Sequence, residues 1–283
     1  MQSRRRAARL AVTVVVLAGA TLALGETRKE FRFNVGRKAA VSVYNQYGTI
    51  SIKPGERRHV MITAVLYSDR VQSDPHQSGS RVDVVSRLQA GADQDTGRVD
   101  YEIVVPPDAN ITLQSATGAI RVEGLSGDVN LESAAGGVSV RQIQGGHLRV
   151  RTLNGPITLA NIQDGHVEVT SVSGEVAMTS VDGPYVQVNS NSGKISYDGP
   201  FGAGGEYNLI SHTGDIEAIA PSYASFDVVA RSEHGTVEND FSLEDRSRSL
   251  VSKAGSAFAG TLGKAASSVK LFSISGKIHL KKR

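Results

Sequence analysis

A serine or threonine recurs along the middle of the sequence, each time three residues before a glycine. These residues are Ser115, Ser133, Thr152, Ser171, Ser190, Ser211 and Ser232. A row of hydroxyls is a row of nucleophiles only if a neighbouring histidine or acid activates each oxygen. No such residue recurs beside them, so we predict that each hydroxyl makes a hydrogen bond with the backbone of its turn.

Two histidines, His147 and His166, occupy equivalent positions 19 residues apart. Rings on adjacent units of a repeat can share a metal ion, because imidazole is a common zinc ligand. The next unit carries Tyr185 in this position, and no carboxylate completes a ligand set. We therefore predict no metal and no cofactor.

Other catalytic signatures are missing from the sequence. There is no G-x-S-x-G elbow, H-E-x-x-H motif or phosphate-binding loop. The segment from Asp93 to Gly97 has the spacing of the start of a calcium loop but lacks the distal glutamate, which favours a solvated turn. We predict no catalytic residues and no enzymatic activity.

The hydroxyl residues belong to a repeat of the form apolar-x-apolar-x-Ser/Thr-x-x-Gly-x-Ile/Val-x-apolar. Successive glycines from Gly118 to Gly235 are 18, 19, 19, 19, 21 and 21 residues apart. Alternation on both sides of the glycine predicts two half-buried strands joined by a turn, and the fixed period predicts units stacked into a solenoid. We predict an all-β, single-stranded β-solenoid, or β-helix-like repeat, of about 19–21 residues per coil.

Glycine at these turns is predicted to supply backbone angles that a Cβ would forbid. The predicted structural turn glycines are Gly48, Gly118, Gly136, Gly155, Gly174, Gly193, Gly214, Gly235 and Gly276.

The repeat divides the chain into four segments. Residues 1–25 are predicted to be a signal peptide. Residues 26–110 form an N-terminal β-strand region with a polar excursion at 68–97, interpreted as a loop around one short strand. Residues 111–239 form the regular β-solenoid. Residues 240–283 contain an irregular insertion and a terminal capping coil.

The predicted signal peptide has four arginines within residues 4–9, followed by an apolar run from Leu10 to Leu24. This run is shorter than the ~20 residues that cross a membrane. Cleavage after Gly25 would leave a mature chain without a transmembrane span, located in the periplasm, on the cell surface or in the medium. Retention of the segment as an N-terminal anchor is the alternative.

Removal of the leader reverses the sign of the net charge. The full chain has 31 basic and 28 acidic residues, and the leader holds four of the basic ones and no acid. The mature chain therefore carries 27 basic and 28 acidic residues. This balance gives no reason to expect a nucleic-acid partner.

The C-terminal end is locally basic, with nine lysines and arginines and no acid from Arg246 to Arg283. One hypothesis is that lysines on the last coil prevent edge-to-edge stacking of solenoids. The other is that Lys281, Lys282 and Arg283 contact anionic envelope polymers or lipid headgroups. We favour the first, because an exposed last coil needs such protection whatever the function.

Three features together resemble a known family: the segment from Val43 to Ile52 (VYNQYGTISI), the segment from Tyr101 to Ala109 (YEIVVPPDA) and the Ser-x-x-Gly repeats. They are similar to the putative adhesin family, a β-strand-repeat domain of unknown function (DUF4097 type), over nearly all of residues 30–283. The resemblance implies a toastrack-like solenoid, a role in adhesion or in cell-envelope stress systems, and no catalytic residues.

We therefore expect an exported, non-enzymatic β-solenoid that serves as a binding, adhesion or scaffold module at the cell envelope. Its partner would be an unknown envelope protein or an anionic surface polymer. The alternatives are a regulatory partner in envelope stress and a carbohydrate-active β-helix enzyme. The enzyme is disfavoured because the coils are short, Trp is absent and aromatic residues make up 5% of the chain.

Overall fold

The computed structural model describes residues 13–15, 26–245 and 255–283, and these residues form strands and turns without a helix. Two thirteen-stranded sheets enclose one continuous hydrophobic core. The predicted signal peptide lies outside the described residues except for Thr13–Val15, a strand that pairs antiparallel with Glu30–Arg32. In the part of the chain that the structure describes, no helix is long and apolar enough to cross a membrane.

The strands are numbered β1 to β26 in chain order. In spatial order, the first sheet contains β1 (Thr13–Val15), β2 (Thr27–Asn34), β5 (His59–Leu66), β8 (Val99–Val105), β4 (Ile50–Pro54), β10 (Ile120–Glu123), β12 (Val138–Gln144), β14 (Ile157–Gln163), β16 (Val176–Val181), β18 (Ile195–Asp198), β20 (Ile216–Ala220), β26 (Ile278–Lys282) and β22 (Val237–Asn239). The second sheet contains β23 (Glu244–Asp245), β24 (Ala257–Leu262), β21 (Phe226–Ser232), β25 (Ser268–Ser273), β19 (Glu206–Ser211), β17 (Tyr185–Ser190), β15 (His166–Ser171), β13 (His147–Thr152), β11 (Val129–Ser133), β9 (Asn110–Ser115), β3 (Ala40–Asn45), β7 (Arg81–Leu88) and β6 (Val71–Ser78).

Each repeat contributes one strand to each sheet, and neighbouring repeats pair in parallel and in register. Ser133, for example, is the register partner of Ser115 on one side and of Thr152 on the other. Inward residues such as Val150 and Val176 are fully buried. The predicted β-solenoid is therefore confirmed.

The polar segment 68–97 was predicted to be a loop around one short strand, and this prediction is wrong. It forms an antiparallel hairpin of two eight-residue strands, β6 and β7, and β7 extends the second sheet by pairing in parallel with β3. Val71, Val82 and Val84 are buried on its inner face. The hairpin lies at the end of the stack, and its outer face is polar. This polarity led to the prediction of a loop.

The C-terminal coil, formed by β25 and β26, was predicted to cap the stack, but it does not lie at the end of the stack. It lies between the coil of β19 and β20 and the coil of β21 and β22, and it pairs in parallel with both. The chain first builds the outer coil, adds β24 antiparallel to β21, and then returns to fill the inner position. The last residues of the sequence therefore complete an interior layer.

Candidate functional site

The recurring hydroxyls are used by the turns that contain them. In four coils the Oγ of Ser115, Ser133, Ser171 or Ser190 donates to the carbonyl of the glycine three residues later, over 2.6–2.8 Å. The predicted hydrogen bond between hydroxyl and turn backbone is confirmed at these positions. These oxygens are buried structural groups.

Other members of the column differ. The hydroxyls of Ser232 and Ser273 each donate to a glycine carbonyl of a neighbouring coil, Gly276 and Gly214 respectively. The oxygens of Thr152 and Ser211 are buried and have no hydrogen-bond partner in the described part of the chain.

The turn glycines are needed for a different reason from the one predicted. Among the nine, only Gly48 has a positive φ, of 99°. A Cβ on Gly136 would lie 2.0 Å from the carbonyl oxygen of Gly118, and one on Gly174 would lie 2.0 Å from that of Gly155. The glycines stack so closely that the backbone of one coil occupies the space where the next would place a side chain.

A groove runs along the outside of this corner, parallel to the solenoid axis. Its floor is the Ser/Thr column, and its walls are the outward residues immediately before and after that column. Its volume is about 490 Å³ over the five coils from β3 to β15. The lining residues are Tyr44, Gln114, Ser115, Ala116, Glu132, Ser133, Ala134, Arg151, Thr152, Leu153, Thr170 and Val172.

A second groove of about 360 Å³ continues from the first, because Thr170 and Val172 line both. It extends to Ile210 and to Phe272 and Ile274 of the inserted C-terminal coil. Eight coils therefore share one continuous corner groove. At ~4.8 Å per coil its length is about 34 Å.

The corner groove collects half of the large apolar side chains exposed in the described residues. Leu153 is 53% exposed and Tyr44 47%, and Val172 and Ile210 also lie there. Its charged residues are paired with each other, since Arg151 lies 3.6 Å from Glu132. The groove thus presents an apolar and nearly neutral surface.

The sequence prediction did not include this groove. One position of the repeat could have indicated the groove. The residue directly after each recurring Ser or Thr faces outward, and it is apolar in four successive coils. These residues are Ala116, Ala134, Leu153 and Val172.

The two equivalent histidines do lie side by side on the outer face of the second sheet. The ring centroids of His147 and His166 are 5.0 Å apart, and Tyr185 follows at 4.7 Å from His166. His147 lies 3.4 Å from Asp128, and His166 lies 3.6 Å from Glu168.

The carboxylate of Glu168 is engaged elsewhere, since Arg149 donates a hydrogen bond to it over 2.8 Å. That bond lowers the pKa of Glu168 from its ordinary value. Among the described residues, no group of three histidine, aspartate or glutamate side chains has the arrangement of a metal site. The rings of His147, His166 and Tyr185 follow one another with tilted planes, at interplanar angles of 40° and 34°.

Lys281, Lys282 and Arg283 were the cations of the less favoured hypothesis of an anionic-surface contact, and two of the three have partners within the chain. Lys281 forms an ion pair with Glu217, and Arg283 lies 3.2 Å from Asp198. The Lys282 side chain is exposed. Hydrogen bonds from Lys194 and Lys281 lower the pKa of Glu217 to about 2.

The fold defines a class: a parallel β-solenoid whose repeated residues build turns and core, with an apolar groove along one corner. The Toastrack DUF4097 family model matches residues 39–281, and the chain belongs to this family.

Two solved structures are similar to the chain. One is a "putative cell adhesion protein" from Clostridium sporogenes, 11% identical, covering 91% of this chain and 100% of its own, with a TM-score of 0.30. The other is a "putative adhesin" from Bacteroides fragilis, 10% identical, covering 94% and 100%, with a TM-score of 0.40. None of the curated proteins compared with the chain matches it significantly.

Proposed function

We propose that the chain is an exported, non-enzymatic binding module of the cell envelope that holds an extended apolar segment of a partner protein in the corner groove. The observation that carries this proposal is the continuity of the groove over eight coils, with half of the exposed large apolar side chains collected in it. Exposed apolar surface that is contiguous and rimmed by polar residues is typical of an interaction site.

The lining favours a polypeptide over an anionic polymer. An anionic polymer needs free cations, but Arg151 is already paired with Glu132 within the groove. Apolar walls instead gain free energy from burying apolar side chains. An extended chain advances ~3.3 Å per residue, so a groove of about 34 Å accommodates roughly ten residues.

The same lining supports a non-enzymatic role. Glycoside hydrolysis uses two carboxylates on either side of the scissile bond. The corner groove has one carboxylate, Glu132, which is paired with Arg151. Outside the corner groove, a groove of about 280 Å³ on the first sheet also has a single carboxylate, Glu123, beside Lys53, Arg121 and Arg141.

The export part of the proposal rests on the charged and apolar pattern of residues 1–25. N-terminal sequencing of protein from fractionated cells tests it. We expect a chain that starts at Glu26 outside the cytoplasm. A chain that starts at Met1 in the cytosolic fraction would contradict export.

The binding part can be tested with a display library of random twelve-residue peptides selected on the purified protein. We expect selected peptides to be rich in apolar residues and to bind the parent protein saturably. Leu153→Glu and Val172→Glu should each weaken that binding at least tenfold, because they place a charge on the apolar wall.

Val229→Glu and Tyr223→Glu are matched controls, since both residues are exposed apolar side chains outside the groove. They should leave binding within twofold of the parent. The proposal is wrong if no apolar peptides are enriched, or if the groove and control variants bind the selected peptides equally well.

A further inference from the structure

Three arginines converge at the N-terminal end of the stack, far along the chain from the basic C-terminal segment. Arg37 lies in the turn between β2 and β3, and Arg57 and Arg58 lie in the turn between β4 and β5. Together they line a cavity of about 190 Å³, which Gly36, Pro106 and Asp108 complete. All three arginine side chains are exposed.

Backbone hydrogen bonds hold these turns in place. The N–H of Val35 donates to the carbonyl of Arg58 over 2.9 Å, and the N–H of Gly55 donates to the carbonyl of Val105 over 2.8 Å. Arg58 has a φ of 69°, a left-handed conformation that is uncommon for a residue with a Cβ. These features fix the backbone that carries Arg58.

The arginines have no acidic partner. Among the described residues, Arg37, Arg57 and Arg58 take part in no ion pair, although Asp108 lines the same cavity. Several other arginines of the solenoid are paired, as Arg149 is with Glu168. The guanidinium groups of these three residues are therefore open to a ligand, whereas the neighbouring Arg32 is paired with Glu56.

The sequence around the three arginines is also rich in basic residues. Residues 26–59 hold eight basic and three acidic residues, whereas residues 60–283 hold 19 basic and 25 acidic ones. The stretch of sequence that supplies the three arginines is thus locally basic. β2, the strand that follows the predicted leader, lies in this end layer.

We infer that Arg37, Arg57 and Arg58 form a binding site for a phosphate-type oxyanion. Guanidinium groups are planar donors that bind phosphate oxygens in pairs, and three unpaired ones around a small cavity match a single phosphate group. Phospholipid headgroups and soluble phosphate share this chemistry. The site is separate from the corner groove, and on the envelope it would orient the N-terminal end of the solenoid toward an anionic surface.

The test compares two triple variants with the same change in net charge. One is Arg37→Gln, Arg57→Gln and Arg58→Gln. The control is Lys281→Gln, Lys282→Gln and Arg283→Gln, which neutralises cations of the inserted coil. Co-sedimentation with vesicles of 30% phosphatidylglycerol in phosphatidylcholine measures headgroup binding, and the rise in melting temperature with inorganic phosphate measures binding of the soluble anion.

We expect the arginine variant to reduce vesicle binding at least tenfold and the control to change it less than twofold, in low salt. Vesicle binding without stabilisation by phosphate assigns the site to headgroups. Arginine-dependent stabilisation by phosphate without vesicle binding assigns it to the soluble anion. The inference is overturned if the parent shows neither, or if both triple variants lose binding equally, since nonspecific attraction then explains it.

The arginine side chains are exposed, so the arginine variant should melt at the temperature of the parent without ligand. A loss of vesicle binding by a variant that retains this melting temperature is an effect on the site and not on folding.

Discussion

The amino group of Lys277 lies 2.8 Å from the carboxylate of Glu238, which precedes it in the sequence but lies on the next coil outward in the stack. On the inner side of the same coil, Lys270 lies 3.3 Å from Glu206. The inserted C-terminal coil is cationic, and both of its neighbours present acids to it. This complementarity accounts for Lys270, Lys277 and Lys281 of the inserted coil without an external ligand.

Charge reversal on the inserted coil should therefore destabilise the stack. Lys277→Glu combined with Lys281→Glu places like charges beside Glu238 and Glu217, and we expect the free energy of unfolding to fall. Urea unfolding measures it. Arg37→Glu combined with Arg57→Glu changes the net charge equally at unpaired positions, and an equal loss in that control would contradict the ion-pair explanation.

The close stacking of turn glycines gives a second prediction. Gly136→Ala should lower the free energy of unfolding by about 1–3 kcal/mol or prevent folding, because its Cβ would lie 2.0 Å from the Gly118 carbonyl oxygen. Gly137→Ala is the neighbouring control, since its nearest contact would be at an ordinary 3.5 Å from Pro156. It should change stability by less than about 0.5 kcal/mol. Equal melting temperatures for the two variants would show that the glycine column is dispensable.

Glu217 should make stability depend on pH. Its side chain is partly buried between Lys194 and Lys281, and its pKa is lowered from 4.5 to about 2. A carboxylate with a lowered pKa stabilises the fold above its unfolded pKa, and this contribution is lost as the pH falls through the folded pKa. The free energy of unfolding of the parent should thus be higher than that of Glu217→Gln at pH 7 and at pH 5. This difference should disappear as the pH approaches 2.

Denaturant unfolding at several pH values measures this difference. Glu102→Gln is the control, because Glu102 is exposed and forms no ion pair among the described residues. A difference between the parent and Glu217→Gln that stays constant from pH 5 to pH 2 would show that the ion pairs are not its source.

The interior of the regular coils gives the simplest test of the fold. Val176→Asp places an unpaired carboxylate at a fully buried position, and we expect a loss of about 3 kcal/mol or more in stability. Ala177→Asp, one residue further along β16 on its outer face, should be tolerated. A Val176→Asp protein that melts like the parent would contradict the burial of this column.

The columns of buried residues could be predicted from the sequence because each follows from regular geometry. Side chains on one face of a strand recur every two residues, and equivalent residues of successive coils lie above one another along the axis. Val150 and Val176 are buried where the alternation places them. The position of the C-terminal coil could not be predicted, since parallel coils of one pattern can stack in any order. The 41 residues from Gly235 to Gly276 are long enough to place the last coil either at the end of the stack or between the two preceding coils. Only the acids on both neighbouring coils indicate the inner position.

The candidate sites were harder to predict. The corner groove uses outward residues such as Leu153 and Val172, which follow the recurring hydroxyls but vary in size from coil to coil. Arg37 and Arg57 are brought together by turns 20 residues apart in an irregular region.

The most direct test of the binding proposal is the orientation of a bound peptide along the corner groove. A selected twelve-residue peptide is labelled with a photoreactive group at either its N-terminus or its C-terminus, and the cross-linked residues are identified by mass spectrometry. We expect one label to react near Tyr44 and the other near Ile210, because an extended ligand must cross successive coils in order. Cross-links from both labels on one coil, or on Tyr223 and Val229 outside the groove, would contradict it.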